Sequence, residues 1–173
     1  QLLDPAARAR GVITASAGNH AQGVAYAARI AGVAATVVMP ETAAFSKAEA
    51  TAGYGARVVL AGRDYSEAFA RASSMAGEQG ATFVHAFDDP DVIAGQGTAV
   101  LEMLESVPDL DIVIAPVGGG GLLSGTSIAA RGVRPEMRVY GAEPANADDA
   151  ARSFLSGSVE PLPATTTIAD GLR

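Results

Sequence analysis

Two short stretches of the sequence place small and polar residues where a strand pattern gives way to a helix pattern. The first junction, in VITASAGNHAQG, comprises residues 16–20, and the second, in IAPVGGGGLLSG, is a run of four glycines at residues 118–121. Backbone N–H groups at the start of a helix point outward with positive partial charge and can stabilise a bound anion. Both junctions therefore predict ligand binding at the carboxyl end of a strand.

The glycine run at residues 118–121 fits a phosphate best. The two standard phosphate patterns fail here. A dinucleotide fingerprint that starts at Gly118 needs a glycine where Leu123 stands, and a P-loop needs a lysine, yet no lysine follows Lys47. A tight turn chosen for close packing is the alternative interpretation. A flexible linker would not normally separate two strongly apolar elements, so the pattern favours phosphate binding by backbone amides.

The first junction offers three polar side chains, Ser16, Asn19 and His20. Helix capping by Ser16 or Asn19 would explain one of them, and such a cap contributes about 1 kcal/mol. A cap needs only one side chain, however, and Ala17 and Gly18 leave space beside the others. The junction therefore predicts a pocket for a planar or carboxylate-bearing ligand against Asn19. His20 alone is also typical of a half-buried structural histidine.

The elements that must position these junctions alternate in the manner of an α/β fold. Short β-branched runs alternate with alanine-rich helical runs, which predicts a mainly parallel sheet flanked by helices. The predicted strands are residues 11–15, 35–39, 57–60, 82–85, 111–116 and 138–143, and the predicted helices are residues 20–31, 46–52, 65–78, 92–105, 122–131 and 146–155. The polar FDDPD at residues 87–91 is the predicted boundary between two lobes.

Composition excludes several classes of function. The formal net charge is −7 with no basic cluster, which argues against nucleic-acid binding. The longest apolar runs are strand-sized, whereas a membrane span needs about 20 residues. A chain without cysteine has no disulfide and no thiolate site, which fits the reducing cytoplasm. Two histidines are too few for a multi-histidine zinc site.

Five blocks then point to a known family: SAGNHAQG at residues 16–23, VIAGQGT at 92–98, PVGGGGLLSG at 116–125, AEPANADD at 142–149 and TIADG at 167–171. By these blocks the chain resembles the serine/threonine dehydratase and serine racemase branch of the fold-type II pyridoxal-phosphate (PLP) enzymes. The resemblance implies a two-lobed fold similar to tryptophan synthase β. Its implied parts are a large-lobe remnant at residues 1–10, a small lobe at 11–88 and part of the large lobe at 89–173.

The resemblance assigns a role to each junction. The glycine amides would hold the phosphate of PLP, Asn19 would lie beside the cofactor's 3′-oxygen, and Gly171 would lie near the cofactor ring. The implied cofactor-binding residues are Asn19, Gly118, Gly119, Gly120, Gly121 and Gly171. The substrate carboxylate would lie against the first junction, formed by Ser16, Ala17, Gly18, Asn19 and His20.

The AEPANADD block is implied to bind a divalent metal. Glu143, the backbone carbonyl of Ala147 and Asp149 would supply oxygen ligands to Mg²⁺ or Ca²⁺, with waters completing the shell. Without the resemblance, Asp148 and Asp149 are acids that complement the dipole at the start of a helix.

Two parts of the family are expected outside this chain. The resemblance implies a Schiff-base lysine upstream of Gln1, because Lys47 falls after the second predicted strand. It also implies a downstream portion that supplies a serine or cysteine near the pyridine nitrogen. We therefore expect that the chain is a fragment, that it contains no catalytic residue, and that it is inactive alone.

The activity implied for the intact protein is that of a cytoplasmic, homodimeric lyase. It would be a PLP-dependent L-serine/L-threonine dehydratase (ammonia-lyase) that converts a small hydroxy-amino acid into a 2-keto acid and ammonia by β-elimination. Ala17 stands where the racemases carry a serine, which favours elimination over racemisation. The alternative enzymes are a serine racemase, a dual racemase and dehydratase, and a 3-hydroxyaspartate dehydratase. A non-catalytic PLP- or phosphate-binding fragment is the alternative from a different class.

Overall fold

A computed structural model describes residues 3–161 and 167–172 of the chain. Residue contacts divide the chain into two units, Gln1–Ala86 and Phe87–Arg173, so the division falls at the predicted FDDPD boundary. Residues 1, 2, 162–166 and 173, which belong to the predicted large-lobe segments, lie outside the described residues. The assignment of the segments to a small and a large lobe stays a prediction.

The first unit is built on a four-stranded parallel sheet. Its strands are β1 (Val12–Ala15), β2 (Ala35–Met39), β3 (Arg57–Leu60) and β4 (Thr82–Phe83), in the spatial order β3-β2-β1-β4. Its helices are α1 (Pro5–Arg10), α2 (Asn19–Ala31), α3 (Phe45–Gly53) and α4 (Tyr65–Gln79). The chain adds β2 and β3 on one side of β1 and β4 on the other. Strand order therefore reverses at β1, and ligands of α/β sheets bind outside the carboxyl ends of strands at such a point.

Helices cover both faces of this sheet. One core cluster joins α2 to β1 and β2, and its members include Ala21, Ala25, Ala28, Val12, Val37 and Met39. The other joins α4 to the opposite face, and its members include Ala68, Ala72, Met75, Ile13, Ala15 and Val38. Every residue of β1 is buried, which explains why its sequence is mainly apolar and does not alternate with exposed polar residues.

Helix α1 was not predicted from the sequence. Its arginines reach the last carbonyls of two other helices: an Nη of Arg8 donates to the carbonyl of Ala31 at the end of α2, and Nε of Arg10 donates to the carbonyl of Gly80 after α4, at 2.6 Å. Carbonyls at a helix C-terminus lack intrahelical partners and carry negative partial charge, so a cation is stabilising there. These two hydrogen bonds hold α1 against the C-terminal ends of α2 and α4.

The second unit contains a two-stranded parallel sheet, in which β5 (Ile112–Pro116) pairs in register with β6 (Arg138–Ala142). Its helices are α5 (Pro90–Ser106), α6 (Gly121–Val133) and α7 (Asp149–Ser156), and a 3₁₀ turn spans Asp170–Leu172. A Cβ on Gly97 of α5 would lie 2.8 Å from the carbonyl oxygen of Gly125 in α6. The backbones of α5 and α6 therefore touch, which gives Gly97 of VIAGQGT and Gly125 of GLLSG a packing role.

The predicted α/β class with parallel sheets flanked by helices is confirmed. Helix α5 begins at Pro90, two residues before the predicted start, because proline is well accommodated at the first helical position. In the ranges that the structure covers, no helix is both long and apolar enough to cross a membrane.

Candidate active site

The glycine run follows β5 and leads directly into α6. Gly120 precedes the helix with φ +85° and ψ −13°, a left-handed conformation that favours glycine, and no side chain caps the helix. Within the described ranges, no protein group accepts a hydrogen bond from the amides of residues 118–121, and the first backbone bond that closes on the loop runs from the Ser124 amide to the Gly120 carbonyl at 2.9 Å. Amides without protein acceptors at the start of a helix fit a bound anion.

Phe87 lies directly against this loop. A Cβ on Gly121 would lie 2.8 Å from the carbonyl oxygen of Phe87 and 2.9 Å from its Cα, and a Cβ on Gly119 would overlap its ring. Side chains are therefore excluded at these two positions by packing. Close packing, one of the two interpretations that the sequence left open, therefore applies here, and phosphate binding stays a prediction that this packing does not exclude. Sequence reasoning missed Phe87, since nothing in the motif pointed to a ring beneath the loop.

Gly171 lies beside the same loop. A Cβ on Gly118 would lie 3.3 Å from the carbonyl oxygen of Gly171 and 3.6 Å from Cδ2 of Leu172. The structure therefore brings together two of the predicted cofactor-binding residues that are far apart in the sequence. The position of Gly171 near the cofactor ring stays a prediction.

The first junction follows β1 and leads into α2. Ser16 is buried; its amide donates to the carbonyl of Val38 at 3.1 Å, and its Oγ accepts the Gly18 amide at 3.2 Å. Gly18 precedes the helix and no side chain caps it, so the interpretation of Ser16 or Asn19 as a helix cap is wrong. Among the residues that the structure covers, the amides of Asn19 and Ala21 meet no protein acceptor. The start of α2 therefore offers N–H groups to a carboxylate.

The side chains of the first junction differ in how far they are exposed to solvent. Asn19 is exposed, while Ala17 and His20 are half-buried. His20 Nε2 lies 3.0 Å from Oγ1 of Thr14, and that hydroxyl donates to the carbonyl of Val84 at 2.7 Å. Thr14 was missed by sequence reasoning because a threonine inside an apolar strand looks like an ordinary β-former.

The predicted metal ligands lie at the carboxyl end of β6 and at the start of α7. The two carboxylate oxygens of Glu143 accept the amides of Ala150 and Ala151 at 3.1 and 2.8 Å, so Glu143 acts as the anion at the start of α7. Ala147 is buried, and its amide donates to the carbonyl of Pro144 at 2.8 Å. This turn explains why α7 begins at residue 149 rather than at the predicted residue 146.

Two acidic residues of this block, Glu143 and Asp148, already have protein partners. In the part of the chain that the structure describes, no three acidic or histidine side chains come close enough to hold a metal ion. Asp149 is the first residue of α7, and Asp148 forms an ion pair with Arg152 at 2.9 Å, which raises the pKa of the Arg152 guanidinium. Because both carboxylate oxygens of Glu143 accept helix amides, a metal ion at Glu143, Ala147 and Asp149 stays a prediction.

The two junctions belong to different units of the chain, residues 16–20 to the first and residues 118–121 to the second. Lys47, the only lysine, lies in the first turn of α3. Elsewhere in the first unit, burial raises the pKa of Tyr65, and a hydrogen bond from Arg63 lowers the pKa of Glu67. The junctions therefore offer backbone amides and polar side chains to a ligand.

Comparison with known proteins identifies relatives along nearly the whole chain. Residues 2–173 match the profile of a family described as "Pyridoxal-phosphate dependent enzyme". An L-threonine ammonia-lyase of Geobacter sulfurreducens is 51% identical over 166 residues, which cover 96% of this chain and 41% of that protein. An L-threo-3-hydroxyaspartate ammonia-lyase of Saccharomyces cerevisiae is 45% identical over 166 residues, which cover 96% of this chain and 51% of that protein.

Solved structures agree with these matches. Maize serine racemase superposes with a TM-score of 0.93 at 42% identity, over 99% of this chain and 52% of that one. The chain thus spans about half the length of the curated relatives and structures that it matches.

Proposed function

The chain belongs to the pyridoxal-phosphate dependent enzymes, and from this premise we propose that the intact protein is an ammonia-lyase acting on L-threonine and L-serine. The reaction would eliminate the β-hydroxyl group and release a 2-keto acid and ammonia. The observation that carries the proposal is the loop at residues 118–121, whose amides meet no protein acceptor at the start of α6. Relatives named as L-threonine ammonia-lyases at 51% and 48% identity support the choice of substrate.

PLP, when bound, supplies an electron sink for the charge left at the substrate α-carbon. This chain contributes binding and orientation. The amides of residues 118–121 would hold the phosphate at the start of α6, which Gly120 precedes in a left-handed conformation. The amides of Asn19 and Ala21, with the positive end of the α2 dipole, hold the substrate carboxylate. Ser16 holds the turn in place by accepting the Gly18 amide rather than by moving a proton.

Ala17 supports elimination over racemisation. Inverting an α-carbon requires a proton donor on each face of the planar carbanion, and a methyl side chain carries no transferable proton. Relatives include a serine racemase of Arabidopsis thaliana at 42% identity, so racemisation is the second candidate. Dehydration of 3-hydroxyaspartate is the third, since the yeast relative named for that substrate is 45% identical.

One experiment separates these activities. The intact protein is supplied with L-threonine, L-serine and 3-hydroxyaspartate in turn, and keto acid and D-amino acid are measured together. We expect keto acid from the first two substrates with little D-amino acid. Rapid D-serine formation without pyruvate would contradict the proposal and favour the racemase.

A non-catalytic PLP-binding fragment is the candidate from another class, and it applies to these 173 residues by themselves. The test is to mix the chain with PLP and to reduce with borohydride. We expect bound PLP without a covalent adduct, because the cofactor-linking lysine is proposed to lie upstream. A specific adduct at Lys47 would overturn that part of the proposal.

Three finer points belong to the same proposal. A cytoplasmic location is supported by the absence of cysteine, and a homodimer by the family resemblance. The resemblance also supports a Mg²⁺ or Ca²⁺ ion at Glu143, Ala147 and Asp149, although Glu143 faces α7, and we assign this ion no chemical step. An unchanged melting temperature of the intact protein on adding Mg²⁺ or Ca²⁺ would remove the ion from the proposal.

A further inference from the structure

The hydrogen bonds at Thr14 fix which group donates to which. A carbonyl oxygen only accepts, so the single hydroxyl proton of Thr14 goes to Val84 across 2.7 Å. The oxygen of Thr14 must then accept from His20, whose Nε2 lies 3.0 Å away and therefore carries a proton. Because Nε2 is engaged as a donor, His20 cannot act as a base through this nitrogen.

Burial strengthens these two hydrogen bonds. Thr14 has 0% of its surface exposed, so water does not compete for its hydroxyl. Hydrogen bonds in such an environment are stronger than in water, and breaking one leaves a buried polar group without a partner.

These hydrogen bonds join β1, the residue after β4 and the first turn of α2. They lie at β1, where the spatial order of the strands reverses. Thr14 lies in β1, Val84 directly follows β4, and His20 is the second residue of α2. These two strands are neighbours in the sheet, and the turn between β1 and α2 lies at their carboxyl ends. Anchoring His20 therefore fixes the direction of the first turn of α2, including the amides of Asn19 and Ala21.

We propose that His20 and Thr14 form a positioning pair that holds the first turn of α2 in the orientation that binds the substrate carboxylate. The inference rests on the proposed function, since it concerns the same turn. The pair acts on substrate binding and takes no part in proton transfer. Its loss therefore raises KM and leaves kcat and PLP affinity nearly unchanged.

The test uses variants of the intact holoenzyme with L-threonine as substrate. Thr14→Val removes the hydroxyl at nearly constant shape, and we expect KM to rise about tenfold with kcat within about twofold, the effect of one buried hydrogen bond. Thr14→Ser restores the hydroxyl and should return KM to within about twofold of the unaltered enzyme. His20→Ala should raise KM as much as Thr14→Val, and the double variant should be no worse than either alone, because both break the same link.

Thr51 supplies a matched control. It is also a threonine with 0% exposure, and its hydroxyl donates to the carbonyl of Lys47 at 2.8 Å, within α3. Thr51→Val should leave KM within about twofold, since that bond does not reach the turn. An equal rise of KM in Thr51→Val would show a general loss of packing and would overturn the inference.

The other possible results also test the inference, and they separate its failure from that of the proposed function. An unchanged KM in Thr14→Val, or multiplied effects in the double variant, would overturn the positioning pair alone and leave the proposed function intact. If Thr14→Val does not accumulate as folded protein, an unchanged KM in His20→Ala overturns the inference, because that side chain is only half-buried. An unaltered enzyme that turns over neither amino acid would overturn the proposed function and this inference with it.

Discussion

Replacing Gly121 by alanine tests the glycine loop most directly. The added Cβ would lie 2.8 Å from the carbonyl oxygen of Phe87 and 2.9 Å from its Cα. Carbon atoms pack at about 3.5 Å or more, so the loop must move by about 0.6 Å. The atoms that it meets are backbone, which cannot swing aside as the end of a flexible side chain would. We therefore expect the loop itself to shift.

The size of the effect follows from hydrogen-bond geometry. An N–H···O bond spans about 2.7–3.2 Å, so a shift of about 0.6 Å is enough to break one amide–phosphate bond. A bond to a charged group contributes about 1.5–3 kcal/mol. At about 1.4 kcal/mol for each tenfold change, PLP should bind to Gly121→Ala about 10-fold to 150-fold more weakly.

The assay is a titration of the intact apoprotein with PLP, followed by cofactor absorbance. Gly132→Ala, in the same helix, is the matched control, because a Cβ there meets no atom within 4 Å and alanine favours a helix interior over glycine. It should bind PLP as tightly as the unaltered protein. Equal PLP affinity in Gly121→Ala, or an equal loss in Gly132→Ala, would refute the assignment of this loop to the phosphate.

Three further predictions concern other residues. Ala17→Ser in the intact protein should raise the ratio of D-serine to pyruvate formed from L-serine by at least about tenfold, because the serine supplies a proton on the second face; an unchanged product ratio would remove Ala17 as the reason for elimination. Glu143→Gln, with chelator present, should lower the free energy of unfolding by about 1 kcal/mol in urea, because α7 loses its N-terminal anion; equal stability would contradict that role. Burial raises the pKa of Tyr65, so stability is constant below the unfolded-state value of about 10 and falls as the pH rises through the raised value. Tyr65→Phe should therefore lose less stability than the unaltered chain between about pH 9 and pH 11. Parallel curves of unfolding free energy against pH would show that Tyr65 has the same pKa in the folded and unfolded states.

The parts of the fold that could be predicted are those set by local pattern. The apolar run at β1 and the alanine repeat of α2 indicate a buried strand and a packed helix without reference to other segments, and the glycines at residues 118–121 mark the junction between β5 and α6. Gly119 and Gly121 also carry information that only the structure reveals, because their side chains are excluded by the ring and the backbone of Phe87, more than 30 residues earlier in the chain.

The features that escaped prediction depend on partners distant in sequence. Helix α1 is held by contacts from Arg8 and Arg10 to residues 31 and 80, and no local pattern encodes such contacts. The predicted strand at residues 82–85 ends at residue 83, and the next carbonyl, that of Val84, accepts from the side chain of Thr14. The resemblance assigned Glu143 to a metal and gave no sign that its carboxylate accepts the amides of the following helix.

The position of α1 bears on how the first unit could be produced as a separate domain. Starting expression at Val12, where the sheet begins, would delete Arg8 and Arg10 and leave the carbonyl termini of α2 and α4 without their cations. A boundary placed before Asp4 keeps these counter-charges, together with the aspartate that caps α1. Truncation designs that follow the sheet alone would therefore yield a less stable domain than designs that include eight more residues at the amino end, the stretch Asp4 to Gly11.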